Sequence, residues 1–154
     1  MTAKSPKFLV DEMLGKLAKR LRILGFDTKY LKDISDEKFF RTAKKEGRTL
    51  LTRDTMLSRR KGIKSLLIRS TDIKKQIEQA LKDLKLKING KKIFSRCSEC
   101  NSPVKSIKKE DAKKRVPEAV YLYFTKFRKC PKCKRIYWKG SHYDKLVKAV
   151  KIPG

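Results

Sequence analysis

The chain has 154 residues and carries 43 Lys and Arg against 16 Asp and Glu, a formal net charge of +27. Its 39% apolar content is enough for a core and excludes a collagen-like or wholly low-complexity polymer. No apolar run approaches the roughly 18 residues that a membrane span needs. So much positive charge on a short chain repels itself, and a polyanion relieves the repulsion; nucleic acid is the expected partner. An anionic membrane surface fits less well, because the apolar helix faces are better used in a core. The opening MTAKSPKFLV lacks the apolar stretch of a signal peptide, so an intracellular, cytoplasmic protein is expected.

Residues 7–10 (KFLV) read as a short buried strand ended by Asp11. Segment 12–24 places Leu14, Leu17, Ala18, Leu21 and Leu24 at helical spacing, and Gly25 suits the end of that helix. A second strand is expected at 28–31, followed by Asp33. A second helix is expected at about 35–46, with Phe39, Phe40 and Ala43 inward and Gly47 behind it. A third strand at 48–52 runs into Arg53 and Asp54, and a short basic helix at 55–61 is broken by Gly62. A fourth strand at 65–69 precedes a helix from about 72 to 84, capped by Ser70 or Thr71.

Strands alternating with helices predict an α/β fold: a doubly wound parallel sheet covered on both faces. Short, nearly continuous apolar strands agree with double cover. The rhythm breaks at 85–96, where Asn89-Gly90 signals a turn, so a boundary is expected near residue 90. Residues 1–90 carry net +13, and residues 91–154 carry net +14 on a shorter stretch. The second part holds all four cysteines and ends in a predicted helix over 141–150.

Cys97-x-x-Cys100 and Cys130-x-x-Cys133 are separated by 29 residues. Two such pairs can offer four thiolates to one tetrahedral Zn²⁺. The separation exceeds the 15–20 residues of the commonest short pattern, and an inserted hairpin or loop absorbs the difference. Two disulfides are the other reading, disfavoured in an intracellular protein. With four cysteine ligands no coordination position stays open, so the expected zinc is structural and stabilises a ribbon with little core of its own.

Ligands of doubly wound sheets gather beyond the carboxyl ends of the strands. Acids stand there in this chain: Asp11, then Asp33 and Asp36, then Asp54, then Asp72. A basic protein that collects scarce carboxylates at one sheet edge is expected to bind Mg²⁺ or Mn²⁺ there. Two such ions about 4 Å apart can activate water and stabilise the leaving oxygen in phosphodiester cleavage. The plainer readings are dipole stabilisation in a first helical turn for Asp36, Glu37 and Asp72, helix capping for Asp33, and loop ion pairs for Asp11 and Asp54.

The runs FLVDEMLG (8–15), LRILGFD (21–27), DEKF (36–39) and GRTLLTRD (47–54) resemble the opening of PIN-like nucleases. Together with the four cysteines and WKGSHY (138–143), they resemble the RNAse family named after the C-terminal domain of the nematode mutator exonuclease. The resemblance spans about residues 7–147. It implies a PIN-like domain over 1–90, a zinc ribbon with a C-terminal helix over 91–154, and a metal-dependent ribonuclease. Its acidic set falls on Asp11, Asp36 and Asp54 as Mg²⁺ or Mn²⁺ ligands, with Thr52 orienting Asp54. The fourth acidic position falls on Asp72, or is served by the hydroxyls of Ser70 and Thr71. The family motif puts His142, the sole histidine, after the ribbon, where it can contact a phosphate or protonate a leaving oxygen. Capping or packing is its plainer role.

Basic residues crowd the second part, notably Lys108, Lys109, Lys113, Lys114, Arg115 and the stretch around the second cysteine pair. Tyr121, Tyr123, Phe124 and Phe127 are interleaved with them, a pattern that can hold phosphates and stack unpaired bases. Tyr137 and Trp138 read as ribbon core. Arg53, Arg59, Arg60 and Lys61 can guide a strand toward Asp54. Two functions are expected from this pattern: an endoribonuclease, or a non-catalytic structured-RNA or ribosome-associated binding protein on the same scaffold. Ribosomal RNA is a candidate substrate or partner for either, by analogy with assembly nucleases that combine a PIN domain with a zinc ribbon.

Overall fold

The computed structural model describes residues 5–150, apart from the side chains of His142, Leu146, Val147, Ala149 and Val150. The chain divides into two compact units, one of Met1–Arg22 with Phe26–Lys87 and one of Ile88–Gly154 with Ile23–Gly25.

In the first unit, β1 (Lys7–Val10) leads through a 3-10 turn at Glu12–Leu14 into α1 (Gly15–Ile23). Then come β2 (Asp27–Tyr30), α2 (Asp36–Glu46), β3 (Thr49–Thr52), α3 (Thr55–Ser58), β4 (Ser65–Leu67) and α4 (Ile73–Asp83). The four strands form one parallel sheet in the order β2-β1-β3-β4. The expected helix over 12–24 is thus divided. Asp11 accepts the Met13 N–H and holds the first turn in 3-10 form before the α-helix begins.

Side-chain alternation along the strands explains why both faces are buried. Leu9 and Leu50 are paired across β1 and β3 and point to one face, where Phe39 and Ala43 of α2 and Leu57 of α3 pack on them. Their neighbours Phe8, Val10 and Leu51 point the other way and are equally buried. Right-handed crossovers put α1 on the face opposite α2, and its Leu17, Ala18 and Leu21 are fully buried. At the sheet's β4 side, the Gln79 amide stands in for a missing strand. It donates to the Leu67 carbonyl at 2.7 Å and accepts the Arg69 N–H at 3.0 Å.

Near the start of β3, Arg48 ties three segments together. Its guanidinium donates to Glu46 at 2.8 Å, to Asp27 at 2.9 Å and to the Phe8 carbonyl at 3.1 Å, with a side chain only 9% exposed. Lys29 completes the cluster by pairing with Glu46 at 2.8 Å.

The second unit contains a 3-10 turn at Gly90–Lys92, β5 (Lys105–Ile107), α5 (Lys109–Ala112), α6 (Glu118–Tyr123), β6 (Phe127–Lys129), β7 (Ile136–Tyr137) and α7 (Ser141–Val150). Its strands form an antiparallel sheet in the order β5-β6-β7. The 29 residues between the cysteine pairs hold β5, α5, α6 and β6. Among its described residues the buried apolar ones are few, chiefly Ile93, Phe94, Ala112 and Phe127 beside Cys97 and Cys130. Gly25 belongs to this unit and adopts φ +99. A Cβ there would lie 2.6 Å from the Lys92 carbonyl oxygen, so no other residue fits.

Candidate functional site: an acidic cleft and a four-cysteine centre

The order β2-β1-β3-β4 reverses direction between β1 and β3, and ligands of such sheets bind at the carboxyl ends of the strands beside that switch. A cleft of about 170 Å³ lies there. Asp11, Glu12, Asp33, Asp36 and Asp54 line it, with no Lys or Arg among its described lining residues. In a chain of net charge +27 this concentration of carboxylate is a strong local inversion of sign.

Each acid is placed by its local backbone. The ladder between β1 and β3 continues one step past Val10, with the Asp11 N–H donating to the Leu51 carbonyl at 3.1 Å. That register brings Asp11 beside Thr52. The Thr52 hydroxyl donates to Asp11 Oδ2 at 2.6 Å and accepts the Asp54 N–H at 2.9 Å. The Arg53 N–H donates to the same Asp11 oxygen at 3.0 Å. Asp11 is 9% exposed and takes three donors in all, counting Met13. Thr52 therefore orients the carboxylate of Asp11, and not that of Asp54 as the sequence suggested.

Asp54 caps α3, accepting the Met56 N–H at 2.8 Å and the Leu57 N–H at 3.3 Å. Asp36 opens α2 behind the capping Ser35. Asp33 adopts φ +54, a left-handed conformation that Asp tolerates better than most residues. Asp72 is not among the residues lining the cleft; it is exposed and caps α4 through the Lys75 N–H at 3.1 Å. The side chain of His142 lies outside the described residues. Glu12 also lines the cleft, a place that strand ends alone do not predict; its position next to Asp11 is the signal the sequence offers.

Two of the four cations expected to guide a strand are otherwise engaged. The Arg53 guanidinium donates to the Ser70 carbonyl at 2.8 Å and the Arg69 carbonyl at 3.2 Å, so it fixes the loop before α4. Arg60 pairs with Glu37 at 3.1 Å and stacks over Phe40, 4.2 Å from its ring centroid. Arg59 and Lys61 are exposed.

The cysteines meet as their spacing predicts. Their sulfurs all lie within 4.8 Å of one another, the sole group of three or more Cys, His, Asp or Glu side chains so placed among the described residues. Two matching knuckles build the centre. In each, the first cysteine's N–H reaches the carbonyl five residues on, Cys97 to Ser102 and Cys130 to Arg135, both at 2.9 Å. In each, the N–H of the residue after the second cysteine returns to the first cysteine's carbonyl at 2.9 Å, with Asn101 and Lys134 at positive φ. In each, the second cysteine's N–H points at the first sulfur, at 3.3 Å and 3.4 Å.

Burial and the neighbouring sulfurs push the Cys100 thiol up to about 12, and burial raises Cys133 as well. Burial opposes ionisation at Cys130 too, but backbone N–H groups of Cys133 and Lys132 outweigh it and bring that thiol to about 7. Four clustered sulfurs form a soft tetrahedral donor set, which suits zinc. All four cysteines are free thiols. The Tyr137 hydroxyl lies 3.0 Å from Cys97 Sγ and accepts the Ser98 N–H at 3.1 Å. Burial and the Cys97 sulfur raise the Tyr137 phenol, so it keeps its proton and can donate it to a Cys97 thiolate.

One unit is thus a parallel α/β sheet with an acidic cleft, and the other holds four clustered cysteines. The chain belongs to the Mut7-C RNAse domain family, whose sequence profile matches residues 6–150. The family makes its function ribonuclease-type and RNA its substrate or partner. Curated proteins provide no match to the chain. Among the described residues, no helix is long and apolar enough to cross a membrane.

Proposed function

We propose that the chain is a metal-dependent endoribonuclease on a PIN-like scaffold, with the acidic cleft as its active site and Asp11, Asp36 and Asp54 as the ligands of Mg²⁺ or Mn²⁺. The observation that carries this reading is the cleft itself, which five acidic residues line at the switch point of a basic protein's sheet. Hard carboxylate oxygens fit these ions by chemistry. Such ions supply water activation and charge stabilisation at a leaving oxygen.

The chain's own residues do the rest. Thr52 and the Arg53 N–H hold Asp11 in one orientation, and the Asp54 N–H locks the Thr52 hydroxyl as a donor to it. Capping fixes Asp54 to the start of α3. Arg59 and Lys61 are exposed close by in sequence and can hold the phosphate backbone. The cysteine centre is read as a structural zinc ribbon, ribosomal RNA as a candidate substrate, and the cytoplasm as the place of action.

One observation favours the non-catalytic alternative. The cleft carboxylates are not gathered at ligand spacing as the cysteines are, and Asp11 and Asp54 already accept backbone hydrogen bonds. Mn²⁺ binding separates the two readings. Titration followed by the paramagnetic signal of free Mn²⁺ should show a site in the wild type that weakens at least about tenfold in Asp11→Asn, since a neutral amide is a poor ligand for a hard cation. Equal Mn²⁺ binding by wild type and variant would move the function to RNA binding alone.

A further inference from the structure

The second unit contains a groove of about 700 Å³, within the roughly 300–1,000 Å³ of sites that enclose small molecules or monomer units. Tyr123, Phe124 and Trp138 line it, together with the cations Lys126, Arg128 and Lys139. No carboxylate is among its described lining residues. Its charge is therefore opposite to that of the acidic cleft.

The aromatic rings are arranged for contact rather than hidden. Tyr123 is 82% exposed and sets its ring against Phe124 edge-on, with centroids 5.1 Å apart. Trp138 is half-buried, with its ring centroid 6.4 Å from that of Phe127. Gly140 leaves room for it: a Cβ there would lie 2.8 Å from the indole nitrogen. Arg128 is steadied by its bond to the Phe94 carbonyl at 3.0 Å, while Lys126 and Lys139 are exposed. Several aromatic rings grouped beside cations in one groove form a surface that suits a ligand with flat faces and negative charge.

We infer that this groove receives an unpaired segment of RNA, whose bases stack on Tyr123, Phe124 and Trp138 while Lys126, Arg128 and Lys139 hold its phosphates. Cations without aromatic faces would serve a duplex equally well. Aromatic faces beside cations select strands whose bases are free to leave a stack. The inference rests on the reading above only for the identity of the polymer as RNA; the groove has its own residues and its own readout.

Trp138 is the sole tryptophan, so its fluorescence reports this groove alone. The test uses the full chain with zinc supplied and no added Mg²⁺ or Mn²⁺, which separates binding from cleavage. The probes are a uridine oligomer about twelve nucleotides long and an abasic oligomer with the same number of phosphates. The uridine oligomer should quench Trp138 saturably and bind about tenfold more tightly than the abasic one. Tyr123→Ala, a change at an exposed ring that leaves the core intact, should cost about tenfold for the uridine oligomer and nothing for the abasic one. No cleavage is read here, so failure of the nuclease reading would leave this result standing. Equal affinity for the two oligomers, or a Tyr123→Ala variant with unchanged uridine affinity, would overturn the inference.

Discussion

Asp11 is held by three donors, and Thr52 supplies the one that can be removed without touching the backbone. Thr52→Val keeps the shape and deletes a hydrogen bond to a carboxylate in a buried place, a loss of about 2 kcal/mol. Thermal unfolding should report that loss, and cleavage should fall about tenfold because Asp11 loses one of the three donors that fix its orientation. Thr52→Ser should restore both. A Val variant with wild-type cleavage would show that the orientation of Asp11 does not matter. Asp11, Asp33, Asp36 and Asp54 are legible in the sequence because they follow strands, whereas Glu12 and the displacement of Asp72 from the cleft are not. The role of Thr52 is not, because it depends on the pairing of β1 with β3 across 41 positions. Arg53 misleads for the same reason. A cation beside an acid in sequence suggests a phosphate contact, whereas folding turns it to backbone carbonyls of the loop before α4.

At the level of elements, strands and helices of the first unit follow from apolar runs and helical spacing, and the structure moves their ends by only a few residues. Capping accounts for the shifts: Asp11 starts a 3-10 turn, and α3 stops at Ser58 instead of reaching residue 61. The Arg48 cluster is invisible to pattern reading, since its charges look like ordinary surface residues along the chain. Hydrogen bonds from Lys29 and Arg48 hold Glu46 below its ordinary value. Burial works against the Arg48 charge, but Asp27 and Glu46 outweigh it and raise its pKa, leaving it charged at any working pH. A lowered native carboxylate means that the unfolded chain binds the proton more readily, so stability rises with pH through this window. The contribution is complete above the unfolded value of about 4.5 and disappears as pH falls through the lower native one. Arg48→Met should cost about 2 kcal/mol near neutrality, less than a fully buried pair because Glu46 keeps partial exposure. Denaturant midpoints between about pH 5.5 and pH 3 should fall less steeply in that variant than in the wild type. Parallel slopes would remove Glu46 from the acid response.

Across the whole molecule, the sequence signals a division of labour by charge, and the two units give it form: a carboxylate cleft in one, an aromatic and cationic groove in the other. The four-cysteine centre is legible in the spacing alone, because four thiols in two Cys-x-x-Cys turns have few other uses. Trp138 reads as ribbon core from its neighbours along the chain, and its half-exposed place in a groove emerges only once β6 and β7 pair. With few buried apolar residues among those described, and two of its buried side chains being cysteines of the cluster, the second unit should depend on a metal held by its sulfurs. Metal analysis should find about one zinc per chain, and Cys130→Ser should lose it and open residues 91–154 to protease while the first unit persists. A zinc-free wild type would refute the ribbon.

Whether the acidic cleft cuts RNA is decided by incubating mixed cellular RNA with the purified chain and Mn²⁺ or Mg²⁺, beside Asp11→Asn, Asp54→Asn and a chelator control. The expected outcome is cleavage by the wild type, none by either variant or with chelator, and RNA binding by both variants that is equal or tighter. Undiminished cleavage by both variants, or tight salt-sensitive binding with no cleavage by the wild type, would contradict it.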